Sequence, residues 1–371
     1  MQLSRMNAAP RLIPLMFGAK DVPPVDFWLI DVGASGGLDA YWRLWAKALH
    51  AICFDPLVKE IERLTTAEVN PNIRYEAALV ICPTYDAIFS PSERENPVVM
   101  KDNSPRHRSS SYAATKAMKM DRTRDIYNAG FPVELSDRRI NLDDYVEQHG
   151  IPFVDFLKID TDGHDIEVLL GAEKMLTSRR VLGVVLETHF HGPLHYGADT
   201  FANADLFLRS HGYSLYDLGP YRQSRRDLPA KFVYPTPAQT ISGQLQWADA
   251  LYFRDFSNPH YEEMFGMKPT AQEIMKLACL FELFGLPDCA AELLILHRGL
   301  IDPLYQVDTL LDALVSDERI GKSIFHAYRP YMDAFYANPK AFYPTTCGEP
   351  AGILRRTKRL VVKLACSLAR T

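Results

Sequence analysis

Several signatures that would place this chain quickly are missing from it. No two of its six cysteines, Cys53, Cys82, Cys279, Cys289, Cys347 and Cys366, stand in a C-x-x-C spacing, which removes the usual zinc site or redox pair and makes a reduced, cytoplasmic compartment the expectation. No window reaches the ~18 consecutive apolar residues of a membrane-spanning helix. The apolar run Leu12 to Phe17 is interrupted by Pro14, and no small-residue cleavage site follows it cleanly, so no signal peptide is expected. Basic charge is not in excess: 41 Lys and Arg against 46 Asp and Glu leave −5, which argues against nucleic acid as a partner. No repeat of fixed period recurs, which excludes a solenoid. With 371 residues, 47% hydrophobic and 23% charged, the composition is that of a folded protein with room for two domains, soluble or peripheral to a membrane.

From Asp26 to about Arg254, short apolar runs alternate with amphipathic helical stretches, the pattern of a parallel sheet with helices on both faces. The expected strands are Phe27 to Val32, Leu49 to Phe54, Ile73 to Ile81, Asp155 to Ile159, Val181 to Glu187, Ser214 to Leu218 and Ala250 to Phe253. Together they make one doubly wound α/β domain. Helices are expected over Leu38 to Leu49, Asn141 to His149, His164 to Leu176 and Ala204 to His211. The stretch Ser90 to Arg124, rich in Ser, Arg, Lys and Asn, fits neither period and reads as a hairpin or loop excursion. After Pro259 the pattern is helical. Thr270 to Phe284 opens on a T-x-x-E capping box and closes on Gly285. Further helices are expected over Asp288 to Arg298, Leu304 to Val315 and Glu318 to Tyr336, the last kinked at Pro330.

Three motifs carry chemistry. Asp31-Val-Gly-Ala-Ser-Gly-Gly37 follows an apolar strand; Gly33 and Gly36 carry no Cβ, so the backbone can approach a ligand closely. Ser35 stands where a G-x-G-x-x-G fingerprint needs its second glycine, which disfavours a nicotinamide cofactor, and no Gly-Lys-Ser/Thr follows to make a P-loop. Cys53-Phe-Asp-Pro56 places Asp55 at the end of the next strand, where a carboxylate can accept both hydroxyls of a ribose. The run Phe156-Leu-Lys-Ile-Asp-Thr-Asp-Gly-His-Asp-Ile-Glu-Val-Leu-Leu-Gly-Ala172 ends an apolar strand in Asp160, Asp162 and His164, at the carboxyl edge where open α/β sheets bind ligands.

Together with Ser109-Ser-Ser111, Leu142-Asp-Asp144 and Asp249-Ala-Leu-Tyr-Phe-Arg254, these motifs make the chain resemble the FkbM-type family of S-adenosylmethionine-dependent methyltransferases over about Asp26 to Arg254. The resemblance implies a Rossmann-like seven-stranded class I methyltransferase sheet, here with a C-terminal all-helical domain. It also implies methyl transfer from S-adenosyl-L-methionine to an oxygen, commonly a hydroxyl of a sugar, glycan or glycolipid-type acceptor. Carried onto this sequence, Asp31, Gly33, Ala34 and Gly36 would cradle the methionine part, Asp55 the ribose, and Glu76 to Ala78, Ala78 above all, would flank the adenine. Two positions depart from the family pattern: Asp162 stands where a glutamate is usual, with His164 after the glycine, and Gly36 replaces a larger residue. The resulting division is an N-terminal extension over 1–25, the methyltransferase domain over 26–256, a helical domain over 257–352 and a tail over 353–371.

An acceptor hydroxyl must be aligned and lose a proton. Asp160, Asp162, His164 and His189 are the candidate bases. His189 belongs to a second cluster, Glu187-Thr-His-Phe-His191 followed by His195, at the end of the fifth strand. Glu187 and His191 are candidate acceptor ligands, with Arg108 and Ser110 of the basic excursion, which would act as a lid favouring an anionic or phosphorylated acceptor. Its alternative is a solvated loop. A divalent metal is not expected; were one present, Asp160, Glu187 and His189 suit Mg²⁺ or Mn²⁺. For Asp162 a helix N-cap role competes with catalysis, and for His189 and His191 simple satisfaction by neighbours does.

Two further readings compete with the enzyme: a silent methyltransferase-fold scaffold, and a nucleotide-sugar or NAD-dependent enzyme. The tail carries Arg355, Arg356, Lys358, Arg359, Lys363 and Arg370 and no acid, so an acidic body of −11 bears a tail of +6. On a helix its apolar residues fall opposite the basic ones. It would lie on the inner face of a membrane, or dock on the helical domain or a second subunit to form a homo-oligomer.

Overall fold

The computed structural model describes residues 6–17, 25–85, 134–161, 163–178, 180–192, 197–223, 240–321 and 323–343. Two compact units are distinguished, Met1–Leu310 and Leu311–Thr371. The first opens with α1 (Leu12–Phe17), β1 (Phe27–Val32) and a 3-10 helix (Ala40–Ala48), followed by β2 (Leu49–Asp55), α2 (Val58–Ala67) and β3 (Ile73–Ala77). The short strands β4 (Leu79–Val80) and β5 (Arg139–Ile140) come next, then α3 (Leu142–Gln148), β6 (Phe156–Ile159), α4 (Asp165–Leu170) and α5 (Glu173–Ser178). The sheet is completed by β7 (Gly183–His189), α6 (Phe201–Ser210), β8 (Tyr213–Gln223) and β9 (Gln244–Arg254).

Seven strands form one sheet in the order β3-β2-β1-β6-β7-β9-β8. The first five run parallel, whereas β9 lies antiparallel between β7 and β8. The chain reverses its direction of winding between β1 and β6, and in an open α/β sheet such a switch point leaves a crevice at the carboxyl ends of the strands.

The alternation of side chains along each strand builds a core on both faces. On one face Ile30, Ile52, Leu157, Val184 and Leu186 pack with Val146, Leu169, Leu176 and Leu208 of the flanking helices. On the other, Phe27 stacks on Trp45 at 3.8 Å and Phe156 on Phe284 at 5.5 Å, with Trp42 between them at 4.8 Å from Phe156. Phe284 ends α8 (Ala271–Leu283), which follows α7 (Tyr261–Phe265) and begins with the expected capping box: Thr270 Oγ1 accepts from the Glu273 amide, and Glu273 accepts from the Thr270 amide. Removing one of these rings would forfeit about 3–5 kcal/mol through lost burial and the cavity left behind. The helix α9 (Pro287–Leu296) follows with Pro287 at its first position, where no backbone donor is needed.

The differences from the sequence expectations have local causes. The third strand does not continue to Ile81: the Ala78 amide makes the last bond to β2, donating to the Asp55 carbonyl at 3.1 Å, and Leu79 and Val80 pair with β5 instead. The stretch after Leu38 forms a 3-10 rather than an α-helix and contains Ala46 at φ 49°. The helix expected from His164 breaks at Gly171 into α4 and α5, where the Gly171 carbonyl accepts from the Asp143 amide at 3.0 Å and an added Cβ would stand 2.7 Å from the Ile81 carbonyl. The helix α2 went unread, since Val58, Ile61 and Leu64 mark too narrow a stripe.

After α10 (Arg298–Ile301) and α11 (Val307–Val315), the second unit holds a hairpin of β10 (Glu318–Ile320) and β11 (Ser323–Phe325), then α12 (Tyr328–Ala337). The single helix expected from Glu318 is therefore a turn-and-hairpin followed by a shorter helix. Asp317 and Gly321 adopt left-handed φ values of 67° and 62°, which no helix interior admits. Pro330 is the third residue of α12 and starts the helix without kinking it. The excursion Ser90 to Arg124 and the tail 353–371 lie outside the described residues.

Candidate active site

The glycine loop is folded back onto its neighbours by backbone bonds. The Gly33 and Ala34 amides both donate to the Phe54 carbonyl, at 2.8 and 3.0 Å, and the Asp160 amide donates to the Val32 carbonyl at 2.8 Å. The ends of β1, β2 and β6 are thus stitched together. Gly33 has φ 85°, and an added Cβ would lie 1.8 Å from the Asp160 carbonyl oxygen, so only glycine lets the strand ends come this close. Gly36, at φ 88°, meets nothing there and instead donates its amide to Glu60 at 3.1 Å.

At this junction lies a cavity of about 330 Å³, within the range of small-molecule sites. Its walls are Gly33 and Ser35 from the glycine loop, Asp55 to Leu57 after β2, Ala78 to Val80 after β3, and Asp160, Thr161 and His164 after β6. One oxygen of Asp55 accepts from the Leu57 amide at 2.9 Å. Burial raises the Asp55 carboxyl above its ordinary value, against the opposing pull of the Leu57 and Ser35 amides.

Of the sequence candidates, Gly33, Asp55, Ala78, Asp160 and His164 therefore share one cavity. Asp31, Ala34 and Gly36 do not line it. Asp31 is 1% exposed and holds the Lys158 ammonium at 2.7 Å. Burial raises its carboxyl, and Lys158 pulls it back down. Lys158 itself is held above its ordinary value because the charges of Asp31 and Asp160 outweigh the effect of burial. Glu76 is paired with Arg138 and Tyr145 rather than turned to the cavity. Asp160 stands at the mouth, a third exposed, with Lys158 at 4.0 Å.

His164 N-caps α4, with its ring 3.4 Å from Glu167. On β7, Glu187 pairs in register with Asp249, and His189 lies 4.0 Å from Asp199. The His191 ring is turned to the Leu245 carbonyl at 2.9 Å, satisfied by a neighbouring strand. Among the described residues no group of three or more His, Cys, Asp or Glu is placed to hold a metal ion, so Asp160, Glu187 and His189 are not assembled as a ligand set. Asp162, Arg108, Ser110 and His195 lie outside the described residues.

Three residues escaped the sequence reading. Lys158 had a signal, a lone charge inside an apolar strand. Asp165 and Asp199 had none, because their meaning is a contact across 34 positions. Asp165 is fully buried, accepts from the Thr161 hydroxyl at 2.9 Å and is pushed well up by burial and by the charges of Asp199, Glu187 and Asp160. Asp199 is likewise raised by burial, with His189 opposing, and accepts from the Ile166 amide at 3.4 Å. It thereby ties the loop before α6 to the start of α4, a carboxylate at a helix N-terminus.

Seven strands in one sheet are what the sequence resemblance implied, and the antiparallel β9 departs from the parallel pattern that the apolar runs suggested. The sequence model of the methyltransferase FkbM domain matches residues 31–215. Residues 31–215 belong to the FkbM methyltransferase family. The protein is an S-adenosylmethionine-dependent methyltransferase. No curated protein matches the chain. Solved structures similar to it include a precorrin-6y C5,15-methyltransferase from Geobacter metallireducens GS-15, at 13% identity over 67% of this chain and 93% of that one, TM-score 0.27. A putative methyltransferase from Thermoplasma acidophilum is similar at 10% identity over 62% and 69%, TM-score 0.27, and LepI in complex with SAM at 10% over 68% and 50%, TM-score 0.26. Likeness at these scores carries no argument; strand order and the family match do.

The residues of the FkbM domain fit S-adenosylmethionine as cofactor. Asp55 would take the vicinal hydroxyls, beside the Gly33 backbone and the apolar walls at Ala78 to Val80. No helix among the described residues is long and apolar enough to cross a membrane.

Proposed function

We propose that the enzyme methylates a hydroxyl oxygen of a sugar, glycan or glycolipid-type acceptor. The observation that supports this reading is the chemistry at the β6 side of the cavity, where Asp160, Thr161 and His164 bring a carboxylate, a hydroxyl and an imidazole together beside the cofactor cradle. S-adenosylmethionine, when bound, supplies an electrophilic methyl group. What this chain contributes is alignment and a proton acceptor. Asp160 and His164 would accept the hydroxyl proton and hydrogen-bond its neighbours, a task worth typically 10²–10⁴-fold in rate. His189 with Asp199, at the end of the adjacent strand, would orient the far side of a polyol. The lid role of Arg108 and Ser110 belongs to the same reading. So does a lipid-borne acceptor met through the basic tail 354–371, which binding to anionic vesicles of the full chain but not of one cut at Gly352 would support.

The test is transfer of a tritiated methyl group from S-adenosylmethionine into lipid, polysaccharide, protein and RNA fractions, followed by alkali. An O-methyl ether on a sugar survives alkali and is recovered as a methylated monosaccharide. Label released as methanol, or found only in protein or RNA, would contradict the reading.

A further inference from the structure

We propose that Ser136 is a positioning residue for the cofactor, one that holds the two walls of the adenosine half of the cavity at a fixed separation. The inference rests on the cofactor reading, in which Asp55 takes the ribose; the walls beside it are Pro56 and Leu57 after β2 and Ala78 to Val80 after β3. It holds whatever the acceptor is.

The walls are joined at their base, where the Ala78 amide donates to the Asp55 carbonyl at 3.1 Å. Beyond that bond both are tied to a third piece of chain, residues 134–140. On the first wall, the Glu134 carbonyl accepts from the Val58 amide at 3.2 Å, Leu135 bridges Leu57, and the Ser136 amide donates to the Pro56 carbonyl at 2.8 Å. On the second, the Arg138 and Ile140 carbonyls accept from the Leu79 and Ile81 amides at 2.9 and 2.8 Å. Ser136 stands where this strap crosses from one wall to the other. Its hydroxyl accepts from the Arg138 amide at 3.2 Å and donates to the Ala77 carbonyl at 2.8 Å. An amide can only donate and a carbonyl only accept, so the direction of that hydroxyl is fixed.

One residue thus grips the first wall by its amide and the end of β3 by its side chain. The sheet offers little bracing here, because β3 is its outermost strand and no described strand lies beyond it. Walls already spaced for a ligand bind it without the cost of ordering them. Without the Ser136 hydroxyl the walls of the free protein can part, and binding must bring them back. Ser136 is partly exposed, so its removal is a local change and leaves the core intact.

Calorimetry on the full chain with S-adenosylmethionine and with 5′-methylthioadenosine, which keeps the adenosine and lacks the amino-acid part, tests this in wild type, Ser136→Ala and Ser136→Thr. Urea unfolding of the same proteins runs alongside. Ser136→Ala should weaken both ligands by the same factor, about five- to tenfold, the worth of one net hydrogen bond. Ser136→Thr keeps the hydroxyl and should bind both as wild type does. A lower urea midpoint in Ser136→Ala with both affinities unchanged would show a purely structural bond and overturn the proposal. So would a loss confined to S-adenosylmethionine, or one that Ser136→Thr fails to restore. No binding of either ligand by wild type would overturn the cofactor reading, and this inference with it.

Discussion

Where β6 and β7 begin, the buried charged groups are paired, while the indole N–H groups of Trp28, Trp42 and Trp45 have no hydrogen-bond partner among the described residues. The Arg254 guanidinium donates to the Val181 carbonyl at 2.7 Å, to the His211 carbonyl and to the hydroxyls of Tyr213 and Tyr261, and lies 4.4 Å over the Tyr213 ring. Asp155 holds the Lys276 ammonium at 2.8 and 2.9 Å and accepts from the Trp28 amide. Where the same strands end, an oxygen each of Asp31, Asp165 and Asp199, the Thr188 hydroxyl and the Gln246 amide are buried with no hydrogen-bond partner among the described residues. Native interiors rarely leave such groups alone. The first arrangement ties the α8 helix to the sheet by charges that are paired within the chain; the second leaves carboxylate, hydroxyl and amide groups with unused hydrogen-bonding capacity at the edge where ligands bind.

The contrast can be broken most forcefully at the paired end. Lys276→Ala strands the buried Asp155 carboxylate and should lower unfolding free energy in urea by about 3–5 kcal/mol, while the folded fraction still binds S-adenosylmethionine with wild-type affinity. A loss under about 1 kcal/mol would mean that this end is not a structural tie. At the other end, Gly33→Ala drives a Cβ into the Asp160 carbonyl. It should lower cofactor affinity at least about 100-fold and stability by somewhat more than about 1 kcal/mol; unchanged affinity would contradict the cradle.

A smaller effect with a definite sign is expected at Asp165. Its folded-state carboxyl is raised above the unfolded value of 3.8, so the native state holds that proton more tightly and loses stability as pH rises through and above the unfolded pKa. Asp165→Asn should therefore be more stable than wild type at pH 8, on the order of 1 kcal/mol, with the advantage fading toward pH 4. A variant less stable at both pH values would show Asp165 to be structural. The smallest change is expected at the exposed Arg209–Asp205 pair, 2.8 Å apart on α6: Arg209→Ala should stay within about 0.5 kcal/mol of wild type.

Much of the fold was legible because its signals are local. Apolar runs at Phe27, Leu49 and Phe156 marked strands, and Thr270 with Glu273 marked a helix start. Gly33 and Asp55 were readable because strand-end turns draw on few residue types. What escaped depends on neighbours distant in sequence. β3 ends after Ala77 because the Leu79 and Ile81 amides turn to the Arg138 and Ile140 carbonyls. That Asp31 holds the Lys158 ammonium could not be read from the sequence, because the two stand on different strands 127 positions apart. The hairpin after Asp317 rests on two left-handed backbone positions, of which Gly321 alone was visible in the sequence.

The account turns on whether the junction of β1, β2 and β6 holds S-adenosylmethionine. Titrating that ligand into wild type and Asp55→Ala by calorimetry, with urea unfolding as the control for folding, tests this most directly. The expected result is one site in wild type and at least about a tenfold loss in Asp55→Ala at unchanged stability. Absence of binding to wild type, or equal affinity in the two proteins, would contradict it.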